Sequence, residues 1–293
     1  MTIEKRRIPH LRRVSTSIVY ILSVAVFLLS SVQCRTTRPE QGVDLPQLLA
    51  LYDLEESHGA VYAGIPAGSD DLELLRNEAF VVGYDEMRRN PAWVAYRVAS
   101  TAKYAGLKRP GSFKKDGRTK AGVSHKDYTN TGFDRGHMAP NYAIYSRYGK
   151  AAQLETFLMS NVCPQYPKLN RVRWRELEAL IAGQGTGDPS WAQEFGGIWI
   201  VTGPTFDDDR VFLPSNVEIP DAFYKIVVDI DEDKGTLRAL AFIVPNLKEP
   251  GLPLVDYLVS VDEVESETGL DFFRKLDDKT EARIEGTRAV GLW

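Results

Sequence analysis

The sequence predicts an α+β domain with a mostly antiparallel central sheet flanked by helices, and three observations carry that prediction. Two β-rich runs, 79–84 (AFVVGY) and 93–98 (WVAYRV), are separated by Arg89-Asn90-Pro91, which is turn chemistry. Two more, 223–230 (FYKIVVDI) and 237–244 (LRALAFIV), are joined across Asp231 to Thr236 at hairpin length. Between these pairs lies a segment with helical periodicity, and hairpin-length links on both sides of a helical insert favour an antiparallel sheet over a parallel one.

A chain of 293 residues with 43% hydrophobic content can bury a sizeable core, which excludes disorder throughout. The formal charge of −4 is uneven, because residues 1–34 carry Lys5, Arg6, Arg7, Arg12 and Arg13 against Glu4 alone, leaving the remainder at −8. An acidic body excludes a protein that coats nucleic acid by bulk charge. It permits an enzyme with one local basic track.

The N-terminal cations followed by the apolar run Ile18 to Leu29 have the two regions of an export signal. About a dozen apolar residues fall short of the roughly 20 needed to span a bilayer, which favours a cleaved signal over a permanent anchor. Cys34 follows closely and resembles the acceptor of a bacterial lipoprotein signal, although Gln33 stands where a small residue is usual. A lipidated N-terminus, a plain secretory signal and an uncleaved anchor all remain open. The destinations are correspondingly periplasm, cell-surface membrane or medium, or the mitochondrion if the source has one. With Cys34 lipidated or removed, Cys163 is the only cysteine and no intramolecular disulfide forms.

Residues 35–44 read as a polar tether, and Leu45, Leu48, Leu49, Leu51 and Tyr52 predict a short helix over 45–57. The domain boundary is placed near residue 60, leaving 61–293 as the folded body. Between Lys103 and Lys126 eight cations oppose Asp116, a local +7 that is either a solvated loop or a track guiding phosphate. Gly183 to Pro189 reads as a loop, Gly196 to Pro204 as a strand bounded by glycines, and Ser260-Val261-Asp262-Glu263 as a capping box opening a helix that stops at Gly269.

The chemistry concentrates between Gly132 and Glu178. Asp134-Arg135-Gly136-His137 ends a predicted turn and short strand, and Leu169 to Ala182 predicts an amphipathic helix. At 100° per residue Asn170, Trp174, Leu177, Glu178 and Ile181 fall on one stripe, so Asn170 and Glu178 share a face. Their backbones stand roughly 12 Å apart, and side chains leaning toward the helix N-terminus leave space for a hydrated Mg²⁺ between amide and carboxylate. His137 is then placed to take a proton from an attacking water, and Arg135 to neutralise a phosphate oxygen.

At these residues the chain resembles the DNA/RNA non-specific endonucleases with a ββα-metal finger, the family of endonuclease G and bacterial secreted nucleases. The match covers Asp134-Arg135-Gly136-His137-Met138-Ala139-Pro140, Ser160-Asn161 with Pro164-Gln165, and Leu169-Asn170 with Trp174, Leu177 and Glu178. Looser similarity extends from about Ala79 to Phe273. The resemblance implies a finger carrying the active site, cleavage of both DNA and RNA, and a Mg²⁺ cofactor with other divalent ions such as Mn²⁺ as substitutes. It implies His137 as general base, Asn170 as direct metal ligand, Glu178 as holder of water on the metal, and Arg135 as a transition-state contact. Asn161 and Gln165 match positions that support substrate binding. A further substrate-binding arginine is expected upstream and is either Arg109 or Arg118.

Each residue also has a plain structural reading. A histidine is commonly structural, Asn170 suits a helix N-cap, Glu178 suits a solvated face, and Cys163 an apolar filler. Trp174 is assigned to the core. His125, in a glycine- and lysine-containing loop, is the rival base. Four histidines and two cysteines without paired ligand spacing disfavour zinc. Two other function classes compete: a surface lipoprotein that binds nucleic acid without cleaving it, and a phosphodiesterase for small nucleotides.

Overall fold

Two-residue alternation in the long strands gives the central sheet two different apolar faces. The computed structural model describes residues 51, 59–184, 189–231 and 234–293. The expected export signal, Cys34, the tether and all but Leu51 of the predicted 45–57 helix lie outside these. The sheet has seven strands, β1 (Glu73–Arg76), β2 (Phe80–Asp85), β3 (Asn90–Ala99), β6 (Gly197–Thr205), β7 (Ala222–Asp231), β8 (Thr236–Pro245) and β9 (Leu258–Val259), in that spatial order. Every neighbouring pair is antiparallel. Both predicted hairpins are present, with Phe80 opposite Tyr96 and Val227 opposite Leu240.

One face of the sheet presents Val94, Tyr96 and Val98 of β3, Ile198 and Ile200 of β6, and Phe223 and Val227 of β7 to the first core. The other face presents Trp93, Ala95, Trp199, Val201, Ile226 and Val228 to a second core. Helices α1 (Asn141–Tyr148), α2 (Lys150–Glu155), α3 (Arg175–Ala182) and α4 (Trp191–Glu194) cover the first face through Ile144, Ala152, Leu177, Ile181 and Trp191. Leu177 and Ile181 are at most 1% exposed, and burying each stabilises the layer by about 1.5–3 kcal/mol. Helices α5 (Val261–Thr268) and α6 (Asp278–Glu285) cover the second face through Val261, Val264 and Ile284. As predicted, Ser260 and Glu263 form a capping box at the start of α5, and Gly269 closes it at φ 70°, a left-handed conformation that glycine adopts without strain.

A separate two-stranded antiparallel ribbon, β4 (Asp134–His137) with β5 (Val162–Gln165), pairs His137 with Val162 and Asp134 with Gln165. The chain leaves β5 into a helical segment that carries Asn170 and Glu178, completing a ββα unit on the first face of the sheet.

Two local predictions are corrected. Asn90 and Pro91 belong to β3 rather than to a turn; the reversal is made by Glu86 to Arg89, with Arg89 at φ 58°, and the register shifts at Gly83/Tyr84 beside Pro91. That shift accommodates a proline at the strand's start. The helix expected over Leu169 to Ala182 begins as a π-helical turn, Leu169–Trp174, before becoming α-helical at Arg175. Leu169 and Trp174, at most 1% exposed, are both buried across that turn. The basic segment, by contrast, has no regular structure until the 3₁₀ turn His125–Tyr128. It lies over a third, smaller core that includes Val123, Tyr128, Met159 and Val162.

Candidate active site

The period of two along β4 sends Arg135 and His137 to one side of the ribbon. Gly136 faces the other way, directly against Gln165, and a Cβ there would overlap the Gln165 amide. Glycine here leaves the space that the Gln165 side chain fills.

His137 is 9% exposed and packs against a pair of touching phenyl rings, Phe113 and Phe157, whose centroids are each 5.0 Å from the imidazole and 4.9 Å from one another. Burial, with the positive charge of Arg109 adding to it, pushes its pKa down to about 3. The ring is therefore neutral at physiological pH and keeps a lone pair free. Its Nε2 is buried and has no partner among the described residues.

Arg135 is held at one nitrogen of its guanidinium, Nη2 donating to the His125 carbonyl at 2.5 Å and to Thr129 Oγ1 at 3.3 Å, with the guanidinium 5.8 Å from the Tyr128 ring. The other end of the tetrad acts on the helix. Asp134 accepts from Asn170 Nδ2 at 2.9 Å and from Arg171 Nε and Nη2 at 2.8 and 2.6 Å. Because an ionised carboxylate only accepts, the Asn170 nitrogen must face Asp134, which leaves Oδ1 pointing elsewhere.

These groups share one cleft of about 380 Å³, lined by Arg109, Arg135, His137, Asn170, Arg175 and Glu178 together with the loop after β4. Glu178 lies beside fully buried Lys225 of β7. Burial pushes the Glu178 carboxyl up, while Lys225, Arg109 and Arg175 pull it back toward the charged form; burial drives Lys225 down, and Glu178 opposes that shift. Four arginines, 109, 135, 171 and 175, line the cleft against Glu178 as its one carboxylate among the described residues, a balance suited to a polyanion.

The cleft brings together His137, Arg135, Asn170, Glu178 and Arg109. Its lining does not include Arg118, Asn161 or Gln165, which the resemblance implied as substrate contacts. Arg118 spends its guanidinium on both oxygens of Asp116, on Asn77 Oδ1 and on the Arg76 carbonyl, fastening the basic loop to β1. Asn161 is fully buried and bonded to Ala139 and Thr156. Gln165 is fully buried against Gly136, with both amide atoms unpartnered among the described residues. These two support the ribbon from behind. His125 lies outside the cleft, its Nδ1 3.4 Å from the Phe113 N–H, and serves Arg135 through its carbonyl. Cys163 and Trp174 are core residues, at most 1% exposed.

Lys225 and the two phenyl rings around His137 were missed. Lys225 carried a signal: it occupies a core-facing position between Phe223 and Val227, where lysine is almost never buried without a charge partner. Phe113, in an irregular loop, carried none.

The donors offered for a metal are oxygens alone, Asn170 Oδ1 and the Glu178 carboxylate. No histidine or cysteine pair accompanies them, which fits a hard divalent cation and not zinc.

Residues 57–279 match the family model described as DNA/RNA non-specific endonuclease. The chain is 27% identical over 215 residues to mitochondrial endonuclease G of Homo sapiens, covering 68% of this chain and 69% of that protein. It is 28% identical over 284 residues to a nuclease of Nostoc sp., covering 90% and 96%. Among solved structures it superposes on the crystal structure of an EndoG/EndoGI complex with TM-score 0.62 and 28% identity, covering 71% of this chain and 88% of that one. Members of this family act on nucleic acids and depend on a divalent metal. The ββα unit, the cleft it carries and these likenesses agree, and the chain belongs to the DNA/RNA non-specific endonuclease family.

Proposed function

We propose that this protein is an exported, sugar-non-specific endonuclease that hydrolyses phosphodiester bonds of DNA and RNA with His137 as general base and one Mg²⁺ ion. The single observation that supports it most is the convergence of His137, Arg135, Asn170, Glu178 and Arg109 on one cleft.

Arg109 and Arg135 bind and orient the scissile phosphate, their fixed charges opposing the negative charge that builds on its oxygens. His137, neutral because it is buried, accepts a proton from the attacking water as the new bond to phosphorus forms and the bond to the 3′ oxygen breaks. The 3′ oxygen then takes its proton from solvent. Asn170 Oδ1 would hold the ion, Glu178 would accept hydrogen bonds from water around it, and Asp134 keeps the Asn170 amide turned the right way. Mg²⁺, when bound, supplies charge stabilisation for the leaving oxygen. Phe113 and Phe157 exclude water from the far edge of the imidazole.

A polymer is favoured over a small diester because exposed Lys103, Lys108, Lys114 and Lys115 extend the positive surface beyond Arg109. Binding should therefore weaken with salt by one counterion increment per phosphate engaged. Purified residues 35–293 should fragment supercoiled plasmid and RNA with Mg²⁺ and fail with EDTA. His137→Ala should cost at least roughly 10²-fold in rate. Undiminished turnover in that variant refutes the assignment. Binding without cleavage under every divalent ion would select the binding-protein class, and preference for a chromogenic diester the small-nucleotide class.

Export rests on the cationic and apolar N-terminal segment, with Cys34 as a lipid acceptor. No helix among the described residues is long and apolar enough to cross a membrane. Metabolic lipid labelling lost in Cys34→Ser supports an anchored enzyme; unlabelled enzyme in the medium supports plain secretion.

A further inference from the structure

The face of the sheet opposite the cleft carries a second concentration of chemistry. Helices α5 and α6 pack there, and with Asp271 after α5 they bring five carboxylates together. Oxygens of Asp262, Glu265 and Glu285 all lie within 4.8 Å of one another, and so do oxygens of Asp271, Glu281 and Glu285. Glu285 belongs to both groups and is only 7% exposed, with a solvent-shielded Oε1 that receives no hydrogen bond among the described residues. Burial, followed by the charges of Glu265, Glu281, Asp262 and Asp271, pushes its carboxyl up to about 8.

The neighbouring cations are engaged elsewhere. Arg288 stands 3.7 Å from Glu263, Arg283 donates to the Leu237 carbonyl, and Arg274 donates to the Ile65 carbonyl. The one backbone donor, Phe272 N–H, goes to Glu265 Oε1 at 2.8 Å. Glu285 shares a side-chain hydrogen bond with Glu265, and an ionised buried carboxylate facing four others with no ion pair among the described residues is strongly disfavoured unless something neutralises it.

We propose that these five carboxylates form a second divalent-cation site, centred on Glu285 and suited to calcium. The donors are all oxygen, the class that hard cations take. Ca²⁺ accepts about six to eight oxygens in a flexible geometry, whereas Mg²⁺ demands a near-ideal octahedron, so an irregular ring of carboxylates suits calcium better. The ion ties α5 to α6 and to Asp271, whose backbone pairs with Ala67 in both directions, at 2.8 and 3.2 Å. It therefore fastens the segment that enters the domain to the elements that end it, and it does so away from the catalytic cleft.

The test uses the full chain, stripped with chelator, in the Asn170→Ala background so that calcium entering the cleft does not confuse the count. Calorimetry should show one calcium ion bound per chain, and thermal unfolding should shift upward by a few degrees with calcium. Adding Glu285→Gln should abolish both. That change relieves repulsion, so without calcium the variant should unfold no earlier than its parent, which guards against misfolding as the cause. If it fails to fold, Asp262→Asn, at the exposed edge, should weaken calcium binding about tenfold. No calcium uptake in Asn170→Ala, or an unchanged shift in Glu285→Gln, overturns the proposal. So does a cluster whose stability answers to pH alone, since a proton would then be its only counter-charge.

Discussion

The side-chain amide of Asn161 and the backbone of Ala139 hold each other in both directions. Ala139 N–H donates to Asn161 Oδ1 at 2.8 Å, and Asn161 Nδ2 donates to the Ala139 carbonyl at 3.0 Å and to the Thr156 carbonyl at 3.1 Å. Ala139 lies two residues beyond His137, so this bridge fixes how the chain leaves the base. Asn161→Ala strands three buried backbone groups, each worth about 1–3 kcal/mol, and should destabilise the fold by about 3 kcal/mol or more in urea unfolding. Turnover should fall more than substrate affinity, because the imidazole shifts while the arginines stay. A stability change under about 0.5 kcal/mol would show that the bridge is not what holds the strand end.

Arg109 and Arg118 should separate cleanly. Arg109 is exposed at the cleft, its guanidinium 5.2 Å from the Phe157 ring, and few groups depend on it for folding. Arg109→Ala should lower kcat/KM roughly 10²-fold, as expected for one lost charge-stabilising donor, and leave the unfolding midpoint in place. Arg118→Ala leaves Asp116 buried with only Ser160 and backbone contacts, and should cost about 2 kcal/mol once screening of the half-exposed guanidinium is allowed for. Its kcat/KM, measured well below the melting temperature, should change little. Reversed behaviour of the two variants would reassign the upstream arginine.

The buried imidazole makes the fold sensitive to acid. His137 has its pKa lowered from 6.5 to about 3, so the unfolded chain takes up its proton first as pH falls. Its contribution is complete above 6.5 and is lost between that value and about 3. The slope is about 1.4 kcal/mol per pH unit, or about 3 kcal/mol lost by roughly pH 4. In metal-free protein, His137→Asn should flatten the fall in unfolding free energy across that window relative to wild type. Parallel curves for the two proteins would mean that the imidazole is solvated.

The strands were legible because their signals are local. The β-rich run Trp93 to Val98 and the short link from Asp231 to Thr236 point to strands and a hairpin without reference to the rest of the chain. Asn170 and Glu178 were legible as a pair because a helix makes side-chain direction periodic, and the π-helical turn did not carry them out of the same cleft. That turn itself was not legible, since it is defined by where Leu169 and Trp174 find space in the core. Asn161 and Gln165 have polar side chains at site-like spacing, but their direction is set by the β4–β5 ribbon and by close approach to Ala139 and Gly136. The choice between Arg109 and Arg118 depends on the path of an irregular basic loop, and no propensity fixes such a path.

Lys225 supplies the last prediction. It is fully buried, with Nζ 4.4 Å from the Trp174 ring and 3.4 Å from the Tyr96 hydroxyl, and Trp174 lies one helical turn before Glu178. Its charge lowers the pKa of a Glu178 carboxyl that burial raises. Removing the charge lets the burial effect act unopposed by its largest counterweight, so Glu178 should hold its proton to higher pH. Lys225→Met keeps the volume and apolar contacts of the stem while deleting the ammonium. The acidic limb of kcat/KM should therefore move to higher pH, with activity recovering on the alkaline side while the fold remains intact by circular dichroism. Lys225→Arg, which keeps the charge, should restore the limb toward its original position if the larger head is tolerated. A purely structural lysine would instead lower stability and activity at every pH without moving the limb, and that result would remove Lys225 from the support of Glu178.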